Sequence, residues 1–468
     1  MPETWPAALD RAHSHAGTWL TSLPDRPVAA AASYEELLKA FDEPLPEQGV
    51  PPDVVVDELA ATIEPGLTAM PGGRFFGYVI GGTLPASLGA DWLVSAWDQN
   101  TGLLTLSPGV IAAETVAARW VLGLAGLPLD CSVAFVTGGC MATFTGLAVG
   151  RHHVLAAAGW DVEADGLQGA PPVRVVVPDE RHATVDLALR YLGLGGRTAR
   201  LVATDDQSRL RLDDLAAALR EGAGGPTLVT LQAGNVNTGA FDPMAEAIDL
   251  AHEHGAWVHV DGAFGLWAAA SPAQRHLVRG YERADSWSTD AHKWLNVPYD
   301  CGLAMTRHPL DHRQTFGAHA SYLMESAGPP DPIELVPEFS RRSRGVPVYA
   351  ALRSLGRAGV ADLVERCCAH ARSLASELAA VPGVEVLNDV VLNQVLLRFD
   401  DSDDVTAAVV DRVLADRAVF LTPTVYKGRT AMRVSIVGWR TTVDDVEVAV
   451  AAVLRALEAV RATAPGGS

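Results

Sequence analysis

Three lysines, Lys39, Lys293 and Lys427, stand among the 36 Lys and Arg residues of this 468-residue chain. Arginine keeps its proton and cannot act as an amine nucleophile, whereas a desolvated lysine can lose its proton and form a Schiff base. A lysine retained in so arginine-rich a chain invites a chemical reason. Lys39 sits in the amphipathic run Tyr34-Glu35-Glu36-Leu37-Leu38-Lys39 and suits a solvated surface, and Lys427 lies in a Lys-Gly turn signal. Lys293 follows a strand-like stretch at Asp285–Ser288, inside Ser288-Thr289-Asp290-Ala291-His292-Lys293-Trp294-Leu295-Asn296.

Three other segments suit the same job, holding an anionic, pyridine-containing cofactor on a lysine. Thr137-Gly138-Gly139-Cys140-Met141-Ala142-Thr143 is a glycine turn between a strand and a helix. Its backbone amides and the helix N-terminus make an anion site suited to a phosphate, although glycine turns before helices are common. It lacks the Gly-Lys-Ser/Thr ending of a P-loop. Asp179-Glu180-Arg181-His182-Ala183-Thr184 places His182 after a strand, able to stack on a ring or move protons, or to be an ordinary loop histidine. His259-Val260-Asp261-Gly262-Ala263 places Asp261 at another strand end, where a carboxylate can pair with a protonated pyridine nitrogen; a helix N-cap is the alternative. Ala263 is small enough for a flat ring to lie against it.

The elements that must position these residues follow from hydrophobic pattern. Short β-branched runs at Ser132–Val136, Val173–Val177, Ala199–Ala203, Thr227–Leu231, Trp257–Val260 and Cys301–Thr306 alternate with helical patterns. That alternation predicts a mostly parallel sheet with helices on both faces, binding ligands beyond the strands' carboxyl ends. Residues 1–85 are expected to form an N-terminal helical arm or cap, 86–345 a large cofactor-binding domain with a helix starting at Ser107-Pro108, and 346–468 a smaller α+β C-terminal domain. Within the last, a helix is expected over Val348–Ala380 and strands at Asn393–Phe399 and Ala431–Ile436. Residues 308–340 are expected to be irregular, and Met324–Glu338 within them a mobile, poorly packed lid.

The net charge of −20 argues against nucleic acid and anionic membranes as partners. The five cysteines (Cys131, Cys140, Cys301, Cys367, Cys368) show no Cys-x-x-Cys spacing, so neither a disulfide framework nor a metal site is expected. There is no signal-peptide pattern at Met1 and no uncharged apolar run of membrane-spanning length, which predicts a cytoplasmic protein.

With Asp290-Ala291-His292-Lys293-Trp294-Leu295 the chain resembles the group II pyridoxal-phosphate-dependent amino acid decarboxylases, whose signature is N-P-H-K-W-L. That family includes the aromatic amino acid, histidine and glutamate decarboxylases. The likeness runs from about Gly73 to Val450. It includes Gly234 with Phe241-Asp242-Pro243, Thr422-Pro423-Thr424, Met432-Arg433-Val434-Ser435, Trp439-Arg440-Thr441-Thr442, Arg74-Phe75-Phe76-Gly77-Tyr78 and Ser340-Arg341-Arg342-Ser343-Arg344. The resemblance implies a fold type I enzyme with pyridoxal 5'-phosphate bound to Lys293 as a Schiff base, decarboxylating an L-amino acid as a homodimer. It implies that His182 stacks on the ring and that Asp261 pairs with its nitrogen. Gly139, Cys140, Asp290 and His292 would lie on the phosphate and Schiff-base side, and Asn235 near the ring oxygen or Asp261. Tyr78 and Trp97 suggest a neutral, aromatic or large apolar substrate.

The departures from the family pattern bear on outcome. Asp290 stands where the family often has Asn, a poor phosphate partner if ionised. Asn235-Val236 replaces a Thr-Thr pair, and Gly72-Gly73 replaces His-Pro. Met324–Glu338 contains no Tyr, His or Phe, and Pro332 falls about where the family's loop tyrosine would protonate the carbanion. Tyr322 and His319 lie just upstream; Tyr322, His182 or water is expected to return the proton. Loss of that tyrosine is associated in the family with oxygen-dependent aldehyde formation, so an aldehyde synthase or another carbon–carbon lyase stays open. A catalytically dead binding homologue is disfavoured by the joint presence of Lys293, Asp261 and His182.

Overall fold

The computed structural model of the chain describes residues 5–221, 224–317 and 329–463. Seven strands form the large sheet: β1 (Ser132–Val136), β2 (Arg174–Pro178), β3 (Arg200–Val202), β4 (Thr227–Gln232), β5 (Trp257–Asp261), β6 (Ser286–Asp290) and β7 (Gly302–Thr306). Their order is β1-β7-β6-β5-β4-β2-β3. Neighbours from β6 to β3 are parallel, and β7 alone runs against both β6 and β1. Every expected strand is present, with ends shifted by two residues at most. Strands β4 to β7 are buried along their whole length, as a sheet covered by helices on both faces requires. Because β1 points the same way as β6, the carboxyl ends of β1, β2, β4, β5 and β6 all open on one edge.

A second sheet is wholly antiparallel: β8 (Val384–Val386), β9 (Gln394–Phe399), β10 (Thr422–Tyr426) and β11 (Arg429–Ser435), in the order β10-β11-β9-β8. Sequence pattern missed β8, which has three residues, and β10, an edge strand whose Pro423 disguises it. Helices Asp403–Asp416 and Val443–Thr463 pack against each other, and the first also packs on this sheet. The expected helix at 348–380 is longer, Gly345–Ala379, and is broken at Gly356, whose φ of 63° and ψ of 177° interrupt the helical path. Its first limb joins the large body, where Tyr349 stacks on Trp120 and the Ser87 hydroxyl donates to the Pro347 carbonyl. Its second limb reaches the C-terminal region, where Arg366 donates to the Trp439 carbonyl.

The N-terminal helices Trp5–Ser22, Tyr34–Phe41 and Pro52–Ile63 contain no buried residue. The chain after them docks: the Phe76 amide donates to the Phe420 carbonyl and the Ser435 amide to the Phe76 carbonyl. Helix Pro108–Ala125 is long and apolar enough by composition to cross a bilayer, but it lies in the core and carries the buried Glu114. Arg341 clasps that carboxylate with two hydrogen bonds, of 3.0 and 2.6 Å. The stretch expected to be irregular holds a helix, Pro309–Phe316, whose Pro309 at the first helical position was the overlooked start signal.

The lid expectation needs correction where the chain is described. Asp331 and Glu334 cap a short turn over Pro332–Glu334, and the Leu104 amide donates to Asp331 Oδ1. Glu334 pairs with Arg313, and Ile333 and Val336 are buried. Residues 331–338 are therefore packed, because two apolar side chains and a capping box hold them. Residues 324–328 of the expected lid, with Tyr322 and His319, lie outside the described residues.

Candidate active site

Asp290 ends β6, and the chain then turns tightly through Ala291 and His292 to Lys293. The Ala291 and His292 amides both donate to the Cys301 carbonyl, and the Asn296 amide donates to the Lys293 carbonyl. Asn296 pins the turn: its Oδ1 accepts from the Gly82 and Trp439 amides, and its Nδ2 donates to the Trp294 and Val437 carbonyls. A Cβ at Gly81 would meet the Lys293 carbonyl oxygen at 2.0 Å, so the strand of chain carrying Tyr78 lies directly on the lysine turn. Lys293 Nζ is 3.0 Å from Asp290 Oδ2. His292 Nε2 is 3.4 Å from Asp290 Oδ1. The Cys301 amide donates to His292 Nδ1 at 3.1 Å, which leaves Nε2 carrying the proton toward Asp290. Burial pushes His292 below its ordinary pKa against the pull of Asp290. Asp290 is 2% exposed, and its Oδ1 has no hydrogen-bond partner among the described residues.

The glycine turn faces this carboxylate. A Cβ at Gly139 would meet Asp290 Oδ2 at 2.6 Å, and one at Gly138 would meet His292 Cε1 at 3.2 Å. Helix Gly139–Ala157 begins here with no side-chain cap, so its first amides remain available to an anion. Cys140 lies in the same first turn. Burial, then the charges of Asp290 and Asp261, raise its thiol pKa, so it is a poor nucleophile.

Asp261 ends β5, buried, with its Oδ1 accepting from the Ala263 amide at 3.1 Å. No α-helix starts there; the next helical turn, Gly265–Ala270, begins from Phe264, so Asp261 is not a helix cap. Ala263 continues the strand end, its carbonyl accepting from the Asp290 amide. Burial raises the Asp261 pKa, opposed by the charges of His182 and Lys293. His182 caps helix Ala183–Tyr191: its Nδ1 accepts from the Thr184 amide and contacts the Thr184 hydroxyl at 2.7 Å, leaving Nε2 for the site. Burial lowers the His182 pKa, with Asp261 pulling the other way.

Beneath the site, sequence reasoning missed a polar chain from Thr143 to Ser288 (3.0 Å), His259 Nε2 (3.3 Å) and, from His259 Nδ1, Ser286 (2.9 Å). Burial drives His259 down to about 3, so it stays neutral. Its signal was the two-residue spacing His259/Asp261 and Ser288/Asp290, which puts each pair on one face of its strand.

Asn235 departs from expectation. Its Nδ2 donates to the Glu180 carbonyl, and its Oδ1 accepts from the Asn237 and Thr238 amides, so it organises its own loop rather than presenting a free atom to a ring. Asp242 is also structural: it accepts the Leu210 and Gln232 amides, both at 2.7 Å, and burial raises it to about 7. Arg433, quoted above only within a motif, is buried, which lowers its pKa; its Nη1 donates to the Val236 carbonyl and to Asn237 Oδ1, and its charge helps to lower the pKa of His182. Tyr78 adopts a left-handed backbone (φ 54°), is 59% exposed, and lies 6.2 Å ring to ring from Phe420. Trp97 ends helix Pro85–Trp97 half exposed, and among the described residues no hydrogen bond or ring contact joins it to the Lys293 group.

Comparison with known proteins agrees with this geometry. The family model described as "Pyridoxal-dependent decarboxylase conserved domain" matches residues 35–400. An aromatic-L-amino-acid decarboxylase of Bacillus atrophaeus is 25% identical, covering 91% of this chain and 90% of its own. A cysteine sulfinic acid decarboxylase of Rattus norvegicus is 26% identical over 75% of this chain and 72% of its own. The crystal structure of Oryza sativa TDC with PLP and tryptamine superposes with a TM-score of 0.91 at 22% identity, covering 98% of each chain.

Proposed function

From the premise that the chain belongs to the pyridoxal-dependent decarboxylase family, with its fold type I α/β architecture and its pyridoxal phosphate cofactor, we propose that it decarboxylates a neutral L-amino acid with an aromatic or large apolar side chain. The observation that carries the reading is the convergence of Lys293, Asp290, His292, Asp261 and His182 on one sheet edge, with Gly138 and Gly139 left bare against Asp290. These residues fit the cofactor: an amine for its carbonyl carbon, a buried carboxylate for its ring nitrogen, and a side-chain-free helix N-terminus for its phosphate. Asp290 is the one awkward member, a carboxylate standing at the anion site. When bound, the cofactor supplies an electron sink for the pair released as the carboxylate leaves as carbon dioxide.

The chain's own residues do the rest. Lys293 Nζ would hold the cofactor through its carbonyl carbon. Asp261 would face the ring nitrogen and favour its protonated form, the low dielectric around the carboxylate strengthening their attraction. His182 would stack on the ring, and with Nδ1 fixed by Thr184 its Nε2 would be the nitrogen free to hold or move a proton. Arg433, near both His182 and Tyr78, takes a carboxylate. Tyr78, Phe420 and Phe75, the last two stacked at 4.8 Å, favour a neutral, flat or bulky side chain over an acidic one. Exposed Trp92, Leu93 and Trp97 and the exposed apolar residues of the arm suit a homodimer, in which Trp97 would serve the partner's site. We further propose a cytoplasmic location.

A second reading, oxygen-dependent aldehyde synthesis, is favoured by one feature. The packed stretch at residues 331–338 carries no phenol or imidazole, so it does not supply the tyrosine proton donor that the family resemblance places there. The test is a screen of L-amino acids that records carbon dioxide, amine, aldehyde and peroxide. Carbon dioxide with amine from an aromatic substrate supports the first reading, and carbon dioxide with aldehyde and peroxide supports the second. Turnover of acidic substrates alone would overturn the substrate class.

A further inference from the structure

At the opposite edge of the sheet, three side chains from three elements converge: His153 near the end of helix Gly139–Ala157, His308 just after β7, and Asp311 in the first turn of helix Pro309–Phe316. His153 Nδ1 is 2.6 Å from Asp311 Oδ2, and His308 Nδ1 is 3.8 Å from the same oxygen. One ligating atom from each lies within 4.8 Å of the others. We propose that these residues form a binding site for a borderline divalent transition-metal ion of the zinc class, separate from the catalytic centre.

Four observations carry this. First, two imidazoles and one carboxylate are the donors such ions take, whereas magnesium and calcium prefer all-oxygen sites. Second, bonds of about 2.0–2.2 Å place tetrahedral ligand atoms roughly 3.3 Å apart, between the two separations above, so small side-chain rotations would close the site. Third, His308 is already oriented. Its Nε2 lies 3.1 Å from Asp285 Oδ1, which holds the proton there and leaves the Nδ1 lone pair facing Asp311. A carboxylate on the far nitrogen is the usual support of a metal-bound histidine. Asp285 is itself fixed by the Val258 amide (2.8 Å) and His252 Nε2 (3.0 Å). Fourth, the two imidazoles pack against the buried Trp257 at 5.2 and 4.8 Å between ring centres, which limits their rotation. All three residues are partly exposed, so an ion can enter and water can complete its shell. Such an ion would fasten the helix that starts at the glycine turn to helix Pro309–Phe316.

The test uses tag-free, cofactor-loaded protein, stripped with a chelator and titrated with zinc chloride by calorimetry at pH 7.5. The expected result is one ion per chain, with affinity weakened at least about tenfold in His153→Ala, His308→Gln and Asp311→Asn, as loss of one of three ligands requires. His152→Ala should leave the isotherm unchanged, because His152 pairs with Glu163 outside the triad. Circular dichroism of each variant separates ligand loss from unfolding. Affinity should also fall as the pH is lowered, because protons compete with the ion for the imidazoles. Absence of saturable zinc binding, or an isotherm unaltered by His153→Ala and Asp311→Asn, would overturn the site and leave these residues as an ion-pair network only.

Discussion

Asp285, just before β6, and Asp290, its last residue, lie five residues apart, and they make opposite use of a buried carboxylate. Asp285 accepts from His252, His308 and the Val258 amide. Burial works to raise its pKa, but those partners prevail and hold it at about 2. Asp290 is more deeply buried, yet one of its oxygens has no hydrogen-bond partner among the described residues, and the other meets the only lysine of the site. One end of the strand is satisfied and the other is left incomplete. An unsatisfied buried oxygen costs about 1–3 kcal/mol, which a fold keeps where a ligand or reaction completes the site.

The largest effect that would test this contrast is at Lys293. Lys293→Ala should abolish turnover and the borohydride-reducible link to pyridoxal phosphate, read as the mass of the reduced protein; a retained link would move the reactive amine elsewhere. Asp261→Asn should lower kcat on the order of 10²-fold or more with the cofactor still bound, through loss of the charge that protonates the ring nitrogen. An unchanged kcat would reduce Asp261 to a structural acceptor like Asp242.

Asp290→Asn sharpens the comparison directly. With the carboxylate gone from the helix N-terminus, pyridoxal phosphate should bind about tenfold tighter, ~1.4 kcal/mol, by fluorescence titration at pH 8. Weaker binding would mean that Asp290 is a fitted partner, and the two ends of β6 would no longer differ in kind.

At the other end, Asp285→Asn should cost stability on the order of 2 kcal/mol near pH 7, measured by denaturant unfolding in chelator. The folded pKa lies below that of the unfolded chain. The contribution is therefore complete above about pH 4 and is lost as pH falls toward 2, where wild type and variant should converge. A difference that persists at pH 2 would assign the loss to packing rather than charge.

Sequence pattern revealed much of the large sheet because its strands are continuous apolar runs between glycine turns and amphipathic helices, a local signal. It failed at β10, where a proline at a sheet edge imitates a loop, and at residues 331–338, where prolines suggested mobility and two buried side chains produce packing. The candidate site was legible because each member stands at a strand end in its own recognisable segment.

Residue types and chain order by themselves pointed to one candidate site for a lysine, a strand-end carboxylate, a histidine after a strand and a glycine turn, since each signal is local and strand polarity sends all four to one edge. Only the tertiary structure decided which polar atoms are already occupied. Asn235 is bound to its own loop, Arg433 arrives from β11 on the second sheet, and Asp290 Oδ1 has no hydrogen-bond partner among the described residues. Those outcomes depend on contacts between residues up to about two hundred positions apart, such as Arg433 with the Val236 carbonyl. Hydrogen-bond satisfaction is a property of packed neighbours, and no local pattern encodes it.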